Sequence, residues 1–125
     1  MMTEYKLGQS VVNILGTDYN IFLKTTKEDA YLNIYSGYCD KFEKKIVLRI
    51  FSEEEISKDN DYTENIEGML NDTLIHELTH AFLYESGFNW TEISEEDICY
   101  WMSSNLLKLQ KVYEKVKVIE YSKEQ

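Results

Sequence analysis

Apolar and polar residues alternate along the first half of this chain and recur every three or four positions along the second. Residues 10–15 (Ser-Val-Val-Asn-Ile-Leu) and 19–25 (Tyr-Asn-Ile-Phe-Leu-Lys-Thr) are rich in β-branched and aromatic side chains, and residues 16–18 (Gly-Thr-Asp) between them predict a hairpin turn. Residues 27–33 carry an ambiguous pattern, with a helical turn as the one assignment it suggests. After the break at Ser36 and Gly37, residues 38–40 and 45–51 predict a second hairpin joined by 41–44. The run 46–51 (Ile-Val-Leu-Arg-Ile-Phe) is the strongest strand signal in the chain.

Past a polar, acidic connection at 52–61 the period changes. Asp61, with Glu64 three residues on, has the form of a capping box. Ile66, Met69, Leu70, Thr73, Leu74, Glu77, Leu78 and Ala81 then keep helical spacing until Gly87. A second helix is predicted from an N-cap at Ser94, with acidic residues in its first turn, to near Ile119. Its apolar stripe is Cys99, Met102, Leu106, Leu109, Tyr113 and Val116. Strands first and helices last predict an α+β fold, a small N-terminal antiparallel or mixed sheet packed on two C-terminal helices. With 125 residues, no proline and no internal repeat, nothing marks a boundary, and residues 1–125 are expected to form one domain.

The net charge of −10 and the absence of any basic run longer than Lys44-Lys45 argue against nucleic acid as a partner. No stretch is apolar enough for a membrane span or a signal peptide, so a cytoplasmic location away from membranes is expected. In that reducing compartment Cys39 and Cys99 are expected as small buried residues rather than a disulfide.

Both histidines of the chain lie in one pentapeptide, His76-Glu77-Leu78-Thr79-His80. In a shuffled chain of this composition they would fall four apart, with Glu after the first, only about two times in a thousand, so the H-E-x-x-H pattern outranks every other signal. Residues i and i+4 of a helix project from one face, which lets two imidazoles grip one Zn²⁺ while the intervening Glu stands ready to take a proton from water. Leu74, Ile75, Leu78, Ala81, Phe82 and Leu83 flank the pair and predict a mostly buried helix, in which an unpaired imidazole would be costly. The metal ligands are therefore expected to include His76 and His80, with Glu77 as the catalytic base.

Catalytic zinc sites commonly take a third protein ligand. No third histidine exists, and Cys39 and Cys99 are open alternatives. The start of the second helix offers Glu92, Glu95, Glu96 and Asp97, whose other role is to cap the helix and offset its dipole. From Glu96, Cys99 at +3 and Ser103 at +7 give a face of small residues for close approach to the first helix, and Glu95 also satisfies the geometry.

The stretch from Leu74 to Gly87, followed by Glu95-Glu96-Asp97-Ile98-Cys99-Tyr100-Trp101-Met102-Ser103, resembles small gluzincin-type metallopeptidase-like proteins of Gram-positive bacteria, phages and mobile elements, distantly similar to the ImmA/IrrE peptidases. Residues 13–19, 37–40 and 45–47 also look like that group. The resemblance implies a minimal zincin-like core and a zinc-dependent cytoplasmic metallopeptidase that hydrolyses a protein or peptide substrate, by analogy a repressor of a mobile element. It also implies Glu96 as the third zinc ligand, because Cys99, Met102 and Ser103 fall where the ImmA/IrrE pattern has a small residue and a Phe-Ala pair. Tyr100 departs from that pattern, since related proteins often carry Asp or Asn four residues after the ligand, where it can orient a histidine. The rival reading, a catalytically inactive zinc-stabilised protein-binding module of a phage or mobile element, is motivated by that departure and by the chain's small size.

Overall fold

The computed structural model describes residues 2–52, 55, 65–88, 91 and 93–123. The first alternating run folds as a hairpin. Strand β1 (Met2–Leu7) precedes it, and β2 (Val11–Ile14) pairs antiparallel with β3 (Thr17–Lys24) through Leu15 and Gly16, at φ 50° and 100°. The turn falls one residue earlier than the expected 16–18, because Thr17 already pairs with Ile14. Asn13 supports it by accepting a hydrogen bond from the Gly16 N–H and donating one to Asp18.

Residues 30–33 close a single 3₁₀ turn capped by the Asp29 carboxylate, which settles the ambiguous stretch before the second hairpin. That hairpin is β4 (Gly37–Asp40) against β5 (Lys45–Arg49), joined by 41–44 as the sequence predicts. The four strands run β2-β3-β5-β4, with β3 and β5 parallel and both outer pairs antiparallel, so β2 and β4 are the edges among the described residues.

Helix α1 (Ile66–Glu85) is capped by Asn65, whose side chain accepts from the Gly68 N–H; Asp61 and Glu64, with most of the acidic connection, lie outside the described residues. Ile66, Leu70, Leu74, Leu78, Ala81 and Phe82 bury one side of α1 against Ile14, Tyr19, Ile21, Ile46 and Leu48 of the sheet. Each large apolar side chain so buried contributes about 1.5–3 kcal/mol relative to exposure. Gly87, at φ 69°, ends the helix where the sequence places the stop.

The last turn of α1 is tied to both hairpins by one carboxylate. Glu85 accepts hydrogen bonds from Thr17 Oγ1 at 2.7 Å, from the hydroxyl of the fully buried Tyr19 at 2.7 Å and from Lys44 Nζ at 2.7 Å. Burial raises the Glu85 carboxyl, but the three donors outweigh it and hold the group below its ordinary value of 4.5. Glu85→Gln is expected to lower stability by about 1–3 kcal/mol at neutral pH, read from urea unfolding. A carboxyl depressed in the folded state adds stability above its unfolded pKa and loses it as the pH falls through the folded one. Wild type should therefore weaken below pH 4.5 more steeply than the variant, and parallel acid limbs would count against this linkage.

The second helix departs from expectation at its end. Helix α2 (Glu95–Val116) begins in a reciprocal capping box between Ser94 and Asp97, but it stops at Val116 instead of running to Ile119. Residues 118–123 form β6 (Val118–Lys123), paired antiparallel with β1 in a separate two-stranded sheet. The run Val118-Ile119-Glu120-Tyr121 favours extended backbone, and β1 supplies the partner that makes a strand possible. The predicted stripe is only half core: Val116 is buried and Leu109 and Tyr113 pack against the core, whereas Cys99, Met102 and Leu106 are exposed. Both cysteines are free, as expected, but Cys99 is not buried. Among the described residues no helix is long and apolar enough to cross a membrane.

Candidate metal centre and cleft

Asp72, His76, His80 and Tyr84 stand four residues apart along α1 and so form one row on its surface. The two imidazole rings lie 4.9 Å apart between centroids at 71°, and the Tyr84 ring stacks on His80 at 6.0 Å and 21°. Glu77, next to the row, is 6% exposed, and its carboxylate has no hydrogen-bond partner among the described residues. Burial pushes its carboxyl above the ordinary range, against the opposing pull of His76. Burial lowers the His80 imidazole, and the neighbouring His76 lowers it further.

The row lies on the open side of α1, not in the interior that its apolar neighbours suggest. His76 is exposed and His80 half-buried. Burial alone therefore does not demand a partner for the imidazoles; what distinguishes the place is a largely buried Glu77 that faces a cleft beside two adjacent rings.

A cleft of about 370 Å³ separates this row from the edge strand, lined by Tyr35, Gly37, Asp72, Thr73, His76 and Glu77. Gly37 sets its width. A Cβ there would stand 2.8 Å from Thr73 Cγ2 and 2.9 Å from the Val47 carbonyl oxygen, closer than real Cβ contacts come, so only glycine lets β4 approach α1 this tightly. The Ser36 carbonyl accepts from the Arg49 N–H at 2.9 Å, and alternation along the antiparallel ladder then turns the N–H and C=O of Gly37 and Cys39 to the open edge. Cys39 packs half-buried against the core; burial, then the Glu77 charge, pushes its thiol up to about 12, which keeps it protonated.

Glu96 does not join the histidines. Among the described residues no three His, Cys, Asp or Glu side chains gather closely enough to hold a metal ion. The reason lies in which flank of α1 the second helix occupies. Trp101 Nε1 donates to Ser86 Oγ at 3.0 Å, and the Val118 N–H donates to Asn71 Oδ1 at 2.7 Å, so α2 runs antiparallel to α1 along the line of Asn71 and Ser86. The mean direction of that line is about 130° around the helix from that of His76 and His80 at 3.6 residues per turn. Glu96 is exposed in the first turn of α2, and its five-residue lead over Trp101 carries it a further ~7.5 Å past the end of α1. Glu95 shares that exposed turn, and Glu92 lies outside the described residues.

This packing gives a direct expectation. Glu96→Ala and Glu95→Ala should change zinc affinity equally and by no more than about twofold, as exposed helix-start acids do. A tenfold or greater loss confined to Glu96→Ala in a zinc titration would instead give Glu96 the role implied by the resemblance. The residues that spacing arguments missed are Tyr84 and Asp72, both legible as i+4 neighbours of the histidines, and Gly37, for which the sequence offers only a turn signal. The chain matches no protein family, no curated protein and no solved structure.

Proposed function

We propose that this chain is a zinc-dependent metallopeptidase acting on a protein or peptide substrate. The observation that carries the reading is Glu77, a buried residue whose carboxylate has no hydrogen-bond partner among the described residues, beside two adjacent imidazoles at the wall of a cleft. The donors fit a divalent ion in part: His76 and His80 would hold it as two nitrogen ligands, with the rest of the coordination sphere open to water, substrate or a further carboxylate. Zinc, when bound, supplies Lewis-acid polarisation of a peptide carbonyl and makes water more acidic. Glu77 accepts the proton of the attacking water and passes it to the leaving amine nitrogen, a role that suits a carboxyl whose pKa burial has raised. The edge of β4, unpaired among the described residues, offers Gly37 and Cys39 main-chain groups to an extended substrate, which adds to the sheet as a further strand beside Glu77. By analogy alone, the substrate is a repressor of a mobile element.

A second reading, a catalytically inactive zinc-stabilised binding module, is favoured by one observation: α2 packs on the flank of α1 away from the histidines and brings no third donor to them. Comparing the protein termini that wild type and Glu77→Gln generate in a lysate separates the two.

A further inference from the structure

A second cleft, of about 410 Å³, continues the first along the edge of β4, and Tyr35 lines both. Its walls are the aromatic rings of Tyr31, Tyr35, Tyr38, Phe42 and Tyr84. Tyr31 and Tyr38 meet edge to face at 5.7 Å, and the Tyr38 hydroxyl donates to Asp29, so this wall is held in place. Phe42 is 85% exposed, Tyr31 65% and Tyr35 54%, so the rings of this cleft form a contiguous aromatic patch open to a ligand. Tyr84 also stacks on His80, which joins the aromatic cleft to the histidine row.

We infer that this aromatic cleft is a specificity subsite, which takes an aromatic or bulky aliphatic side chain from an extended cationic peptide paired with β4. The inference rests on the peptidase reading, whose substrate class it narrows. An added strand would hydrogen-bond to the outward groups of Gly37 and Cys39, which fixes its backbone beside the cleft and sends alternate side chains to opposite faces. Charge selects the rest of the peptide. Asp72 and Glu77 flank one end of the groove and Asp40 the other, while the nearby lysines are already engaged: Lys41 sits over the rings of Phe42 and Tyr84 at 5.2 and 5.4 Å, and Lys44 and Lys45 pair with Glu85 and Glu43. With a net charge of −10 behind it, the groove attracts lysine or arginine beside the apolar anchor and repels acidic segments.

The probe is a labelled heptapeptide with two lysines before one varied position and alanines after it, titrated by fluorescence anisotropy onto the full Glu77→Gln chain with zinc added. Phenylalanine at the varied position should bind at least about tenfold tighter than alanine, the worth of one buried aromatic side chain. Exchanging the two lysines for glutamates should weaken binding of every member of the series. Tyr35→Ala and Phe42→Ala, both exposed and so tolerable to the fold, should each cut the phenylalanine preference to about twofold or less, and Phe42→Ala, which lines only the second cleft, should leave the alanine peptide unchanged. A preference that survives both substitutions, or none at all, overturns the subsite. So does a dimer, seen by sedimentation and dispersed by Phe42→Ala, since the cleft would then belong to a second copy. Wild type incubated with the same peptides keeps the claims apart: selective binding without cleavage preserves the subsite and sinks the peptidase reading, whereas cleavage indifferent to the varied position does the reverse.

Discussion

Glu77→Gln should keep the fold and bind zinc as wild type does, yet release no new protein termini from a lysate that wild type cleaves. The expected loss of rate is at least about 10²–10⁴, the range that a positioned general base contributes. Gln preserves the shape of the side chain and can still accept a hydrogen bond, but it cannot carry a proton from water to an amine. Stability should not fall, because the carboxylate has no hydrogen-bond partner among the described residues, and replacing it with a neutral amide removes a charge held in a buried place. A small rise in the urea midpoint is the accompanying signature. Termini counted by mass spectrometry decide the matter: identical sets from the two proteins, with zinc in both, would leave the binding-module reading standing alone.

The other large effect concerns the metal. Protein purified without chelators should carry one zinc per chain by elemental analysis. His76→Ala or His80→Ala should weaken zinc affinity by at least about 100-fold, since loss of a mere outer-shell partner already costs 10- to 100-fold. Both rings stand toward the open side of α1, so neither substitution digs into the packing of Leu74, Leu78 and Ala81, and the circular dichroism of the variants should match wild type. Retention of equal zinc by the doubly substituted chain would remove the ground for either functional reading.

Much of the architecture was legible because local pattern and tertiary packing agree. The β2–β3 and β4–β5 hairpins, the apolar face of α1, its stop at Gly87 and the Ser94 cap all follow from periodicity and end signals. The two-stranded sheet of β1 and β6 was not legible, because neither segment forms without the other and they lie more than 100 residues apart. At the site, the i, i+4 relation placed His76 and His80 side by side, since helix geometry alone decides it. Glu96 depended on something spacing does not encode, namely the flank of α1 on which α2 would rest. That flank is chosen by side chains such as Asn71, Ser86 and Trp101, whose bonds are visible only in three dimensions.

The open edge of β4 also bears on how copies of this chain behave toward one another. Unpaired main-chain groups on an edge strand invite a like strand, and exposed rings beside them raise that hazard. Here the edge is four residues long, ends in Asp40 and belongs to a strongly anionic molecule. Two such edges meeting would bring like charge against like charge, so the acidity works as a guard against self-pairing. Salt screens that guard over about 8–10 Å at 0.1–0.15 M, and concentrated salt therefore turns the same edge from a selective surface toward an adhesive one.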